Sequence, residues 1–305
     1  MADGSIPSRL NTVLVVAVLA VMGGLLWAAG HAAGWWLAAI TVAFSFVFLT
    51  AYALMHEASH GSLHADARWN RWLGALLGLL FPTSAMMMRV FHTAHHRCNR
   101  TDHEMFDLYY ADDRRWLRTA NWYAILTGLF WLVIPPAAFV VGFARPLLAS
   151  RLFRSTRNAT RLFDGFDAGS LRQARRECVL LLALWVPLLA CGVLDWRTTL
   201  LLYAAAAFNW STRQYVTHAW SPREVMDGSH NLAVSAPMRW ILLNGHLDQA
   251  HHRFPLASWI DLPRLAADLR PPIPFWRQYL SLWWGPRLAQ RPGPEPLLRL
   301  VCERT

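Results

Sequence analysis

The sequence predicts an all-α integral membrane protein with about four transmembrane helices, further re-entrant or interfacial helices, and a histidine-rich cap on the cytoplasmic side. Three observations predict it. The 305 residues are 55% hydrophobic and only 16% charged, with mean hydropathy +0.23, too apolar for an ordinary soluble domain. Residues 12–30 and 35–55 carry no charged side chain, and each is long enough to cross a bilayer core of roughly 30 Å. Eight of the thirteen histidines then fall at spacings that would gather their rings in one place.

The elements follow in chain order. Arg9 marks a cytoplasmic start, so the span 12–30 runs outward and the span 35–55 returns. The small-residue run AAGHAAG at 28–34 resembles a signal-peptide cleavage region, but a second span follows at once, and an uncleaved first helix is expected. HEASH at 56–60 continues the second helix beyond the membrane. Residues 72–88 are apolar, short and interrupted by Pro82, which predicts a hairpin that returns to the side it came from. The run 122–144 is long enough to span but holds Pro135-Pro136, and arginines crowd the following stretch, 145–176. A hairpin bent at the two prolines keeps those arginines inside. Residues 178–194 and 198–217 form an antiparallel pair of spans turning at Asp195-Trp196-Arg197, which delivers His218 to the inner face. PFWRQYLSLWWGP at 274–286 reads as interfacial. Tryptophans 27, 35, 36, 116, 122, 196 and 210 sit near the ends of apolar runs, as an interfacial belt requires. With no internal repeat or low-complexity linker, residues 1–305 read as a single domain.

The net charge of +10 comes from arginine alone, since the chain has no lysine. Those arginines lie between apolar runs, where the positive-inside rule places them, so nucleic acid is not an expected partner. Arginine without lysine fits a GC-rich bacterial genome, and the inner membrane is the expected location. Cys98, Cys178, Cys191 and Cys302 form no paired pattern and receive no role. The sequons at Asn99, Asn158 and Asn209 are read as chance matches.

The chemistry lies in the histidines. His56 and His60 are spaced i, i+4, and His92, His95 and His96 are spaced i, i+3, i+4, so each set shares one helical face. His218 follows an apolar run, and His251-His252 closes the set. Adjacent helical side chains diverge by about 100°, so this last pair can enter two coordination spheres. One ion accepts about six ligands, and eight convergent imidazoles argue for two ions. HEASH alone also matches the zinc-protease signature, with Glu57 as base, but that leaves the remaining histidines unexplained. A metal-binding or transport protein is a further alternative, against which stand apolar spans with no polar pathway. Outside the ligand positions, Gln214 shares a helical face with His218, and His64 continues the series after His60. Glu104 and Asp107 are placed to accept from ligand imidazoles or to pair with Arg97 or Arg100.

HExxH, HxxHH and a late HH between paired apolar runs resemble the membrane fatty acid desaturase superfamily over roughly residues 35–265. The resemblance implies a non-haem di-iron centre (two Fe2+ ions, with O2 as co-substrate) that attacks an unactivated C–H bond. It carries His56, His60, His92, His95, His96, His251 and His252 onto box positions, and His218 onto the additional ligand between the second and third boxes. The chain departs from the pattern in the third box, where DQAHH puts Asp248 in the leading position. Asp248 keeps the spacing and offers a hard oxygen ligand; His246 is the alternative.

Acyl desaturation is the expected reaction, followed by hydroxylation or terminal-alkene-forming decarboxylation by the same centre. The expected partners are a fatty acyl or other alkyl-chain lipid and an external electron donor of the ferredoxin or rubredoxin kind, suited to a basic cytoplasmic surface.

Overall fold

A computed structural model describes residues 5–144 and 165–298. Helix α1 (Ser8–Ala29) and helix α2 (Gly34–His60) are the two long, apolar helices predicted at 12–30 and 35–55, and both are long and apolar enough to cross a membrane. α2 runs without a break through HEASH and stops at Gly61, whose φ of 73° closes the last turn.

Helix α3 (Ala67–Leu80) is capped by Asp66, which accepts from Arg68 and Trp69 backbone N–H, and helix α4 (Ala85–Cys98) by Ser84. The two are bent by 100° across Phe81–Ser84, within the segment expected to turn back. Gly78 permits the bend, because a Cβ there would lie 2.8 Å from Thr83 O. Glu177 ties the start of α4 down from outside: its carboxylate accepts from Ser84 Oγ at 2.6 Å and from Met86 N at 3.0 Å. A buried anion against a helix N-terminus opposes the partial positive charge there.

Helix α5 (Arg115–Leu126) and helix α6 (Ile134–Phe143) make a second bent pair, joined by a 3-10 turn at Leu129–Leu132, with an angle of 82°. The bend is not at Pro135-Pro136. The prolines open α6, where the first turn needs no amide donor and tolerates them. The chain breaks instead at Gly128, with φ 85°, and a Cβ there would lie 2.9 Å from the Ala207 carbonyl. Close approach of the helix carrying Ala207 places the corner.

Helix α7 (Ala168–Ala190) and helix α8 (Trp196–Gln214) occupy the regions predicted as spans at 178–194 and 198–217. Neither is among the helices apolar enough to span by composition. Among the described residues that count is two, or up to four if each bent pair is one span. Arg172, Arg175, Arg176 and Glu177 in α7, and Asn209 and Arg213 in α8, lower their hydropathy. The pair turns at Gly192 (φ 68°), and Asp195 caps α8. The arginine-rich stretch 145–176 lies outside the described residues as far as 164, as do Asn158 and Cys302.

Short elements then build a cap: helix α9 (Ala236–Ile241), α10 (Asp248–Arg253), α11 (Leu262–Leu265) and α12 (Phe275–Leu282). Two parallel two-residue ladders clip it together: β1 (Leu108–Tyr109) with β4 (Arg287–Leu288), and β2 (Leu232–Ala233) with β3 (Ile273–Pro274). α12 buries Phe275 and Leu282 and exposes Trp276 and Leu280, the amphipathic pattern expected of 274–286. Trp27, Trp35, Trp36, Trp116 and Trp196 are exposed as a belt would be, but Trp122 is buried and donates to Leu282 O at 3.0 Å. The main core joins α1, α2, α3 and α8 around Met22, Phe44, Phe48, Leu54, Leu77 and Leu202.

Candidate metal centre

The C-terminal end of α2 supplies His56 and His60, and the end of α4 supplies His92, His95 and His96. The turn after α8 brings His218, and α10 brings Asp248, His251 and His252. The ring nitrogens of His56, His60, His92 and His251 all lie within 4.8 Å of one another, and so do those of His95, His218 and His252. The adjacent pair thus splits, His251 into the first group and His252 into the second. His96 stands between the groups: its Nε2 is 3.0 Å from both His92 Nε2 and His251 Nε2, and its ring centroid is 4.4 Å from that of His252. Asp248 joins the second group, with Oδ2 3.1 Å from His218 Nε2 and 3.8 Å from His252 Nε2.

The donor set fits metal. His60, His92, His96 and His251 form a row of Nε2 atoms separated by 2.8, 3.0 and 3.0 Å. A neutral ring nitrogen carries either one proton or one lone pair, so alternating hydrogen bonds cannot satisfy all three contacts. Nitrogens held at right angles about 2.1 Å from one ion lie about 3.0 Å apart, which matches the row. Asp248 Oδ2 is buried and accepts no hydrogen bond, as suits a ligand oxygen. Burial, with His95 nearby, pushes the His218 ring down to about 3, and burial drives His251 and His252 well below the usual imidazole range. Neutral rings present the lone pairs a metal needs. Burial likewise raises the Asp248 carboxyl to about 6, with His95 pulling against it.

Beyond the ring nitrogens, Glu104 Oε1 accepts from His95 Nδ1 at 2.5 Å, which turns Nε2 of that ring inward. His218 Nδ1 faces Gly228 O at 3.4 Å. Gly228 has no alternative residue: an added Cβ would collide with Glu224 O and Arg100. The other predicted neighbours separate. Gln214 donates to Tyr52 OH at 2.8 Å, and both line the same cavity as the imidazoles. His246 is buried and lines that cavity but belongs to neither ring group; burial and Arg239 lower it to about 4. His64 accepts from Asp66 N at 2.9 Å and lines a smaller, separate pocket. Glu57 is also committed elsewhere: its Oε2 accepts from Ser62 Oγ at 2.9 Å and from Trp259 N at 3.3 Å.

Asp107 pairs with Arg100, one of the two partners open to it from sequence. Fully buried, it accepts from Arg100 Nη1 at 2.7 Å, Trp220 N at 2.6 Å and Tyr215 OH at 3.3 Å. Arg100 and Trp220 have φ of 61° and 54°, so Asp107 ties together two strained residues, the second only two positions after His218. Asp107→Ala leaves a buried guanidinium without its anion and is expected to cost about 3–5 kcal/mol. Thermal unfolding of the purified protein checks it; an unchanged midpoint contradicts it. Nothing in the sequence signalled the parts of Tyr52 and Tyr215, whose partners lie far along the chain, or of Gly228, which packs against Arg100.

His56, His92, His95, His218 and His251 line a cavity of about 1080 Å³ together with Leu49, Phe81, Met88, Phe130, Trp131 and Trp210. Two candidate metal sites therefore open onto an apolar chamber large enough for a long alkyl chain.

No curated protein matches the chain. A family model described as fatty acid desaturase matches residues 33–287, from the start of α2 to β4, and so includes every histidine of both groups. With the matched segment spanning most of its length, this chain belongs to the fatty acid desaturase family.

Proposed function

We propose that this protein oxidises an alkyl or acyl lipid chain with dioxygen at a di-iron centre, and that the reaction is desaturation of a fatty acyl chain. The observation that carries the reading is that members of both ring groups line one largely apolar cavity. The proposed ligands are His56, His60, His92 and His251 for one ion, His95, His218, His252 and Asp248 for the other, and His96 between them. Two iron ions there would supply the activation of dioxygen needed to attack an unactivated C–H bond.

The protein's own residues do the rest. Tyr52, Phe81, Trp131 and Trp210 enclose the chain and exclude water from the reacting carbon. Glu104 keeps the proton on His95 Nδ1 and the lone pair of Nε2 facing inward. Glu57, held by Ser62 and Trp259, braces the end of α2 against the cap, and this role favours the oxidase over a peptidase using Glu57 as base. Electrons come from a separate ferredoxin- or rubredoxin-like donor, and the centre faces the cytoplasm from a bacterial inner membrane. Hydroxylation and terminal-alkene-forming decarboxylation are the other outcomes of the same C–H attack.

Mass spectrometry of lipids and volatiles from bacteria expressing the chain, beside a His96→Ala control, tests the proposal. A product short of two hydrogens is expected; one extra oxygen or a terminal alkene one carbon shorter would name an alternative reaction. With iron and a donor supplied, no difference across a range of added fatty acids would sink the oxidase reading. A smaller effect belongs to Glu104→Ala, expected to weaken metal binding by about 10–100-fold. Competition against a chelator measures it, and wild-type retention would deny Glu104 its orienting part.

A further inference from the structure

Arg213 ends α8 with its charge turned back along the helix. Its Nε donates to Asn209 Oδ1 at 2.8 Å, and Asn209 Nδ2 in turn donates to Ser45 O and Ser45 Oγ, each at 3.2 Å. The guanidinium carbon lies 5.7 Å from the ring centroid of Phe46 on α2 and 5.3 Å from that of Phe275 on α12. Arg213 also lines the cavity that the imidazoles wall. Among the described residues no carboxylate lies within ion-pair distance of it, whereas the half-buried Arg118 of the same cavity is paired with Asp113 at 3.0 Å. Arg114, also at that cavity, is exposed.

A half-buried cation packed against the apolar helix α2 is costly unless something answers its charge. Phe46 and Phe275 each present a ring to the guanidinium, and Asn209 takes its Nε. What remains is the edge carrying both Nη groups, two parallel donors at the spacing of carboxylate oxygens. One edge with one charge matches a monoanion. A phosphate would bring further charge and acceptor oxygens that this edge leaves unanswered.

We propose that Arg213 anchors the carboxylate of a free fatty acid, so that the substrate is the unesterified acid and not an ester or thioester; this rests on the reading of the cavity as the seat of an alkyl chain. Phe46 precedes His56 by ten residues on α2, about 15 Å along the helix axis. A head group held beside Phe46 therefore stands back along α2 from His56, and carbons from inside the chain reach that ring.

Equilibrium binding to the iron-loaded full chain in zwitterionic lipid nanodiscs tests this with three probes: dodecanoic acid, methyl dodecanoate and dodecyl phosphate. The wild type is expected to bind the acid about 10–100-fold more tightly than the methyl ester, the range of a charge-assisted hydrogen bond. Dodecyl phosphate should bind no more tightly than the acid. Arg213→Gln should lose the preference for the acid while binding the methyl ester as before, which also shows that the variant is folded. Equal affinity of the wild type for acid and ester overturns the anchor and leaves the cavity reading standing. So does equal weakening of both in Arg213→Gln. An Arg213-dependent preference for dodecyl phosphate overturns the carboxylate assignment. Absence of binding by all three overturns the anchor and the alkyl-chain reading together.

Discussion

His96→Ala is expected to empty both halves of the centre and to lower turnover by at least about three orders of magnitude, because His96 packs closely against rings of both ligand groups. Its Nε2 is 3.0 Å from nitrogens of His92 and His251 in the first group, and its ring is packed 4.4 Å from that of His252 in the second. His56 is the useful contrast. Its ring neighbours at 4.3–4.9 Å, His92, His251 and His60, all belong to the first group. His56→Ala should therefore retain about one iron per chain, while His96→Ala retains almost none. Elemental analysis of the purified variants reads this directly. Equal iron in the two variants would remove His96 from its bridging place, and wild-type iron in His96→Ala would remove it from the centre.

The second large effect is expected at Asp248. Asp248→Ala should lose one of the two irons and nearly all turnover, whereas His246→Ala should keep both irons. Asp248 places an oxygen 3.1 Å from His218 Nε2, and that oxygen is buried without a hydrogen-bond donor. His246 is buried too, but its backbone oxygen is spent on Leu232 N at 2.9 Å and its ring lies in neither group. Asp248→His puts an imidazole at the same position and should rebind the second iron, since an imidazole and a carboxylate both suit it. Full iron in Asp248→Ala together with loss in His246→Ala would reverse the assignment.

The bent pairs show what kind of information each stage carries. Pro135-Pro136 offered the visible break in 122–144, yet the corner formed at Gly128, where Ala207 of a helix distant in sequence comes within contact. A proline reports only its own backbone preference, and the first turn of α6 satisfies it. In 72–88 the bend does fall beside the proline, because Phe81–Ser84 is at once the local break and the tertiary corner. His64 shows the opposite failure. It lies on the i, i+4 series after His60, but Gly61 ends the helix first, and the residue turns to Asp66 instead.

By itself the sequence determined the two apolar helices, the continuation of the second through HEASH, and which imidazoles share a helical face. These depend on hydropathy and on the 3.6-residue repeat, which are properties of neighbouring residues. The tertiary structure alone decided that His251 and His252 part into different groups, that His96 touches both, and that Arg213 of the cavity lining pairs with no carboxylate among the described residues. Those relations are set by how α2, α4, α8 and α10 cross, and crossings are chosen by packing between segments that the sequence holds far apart.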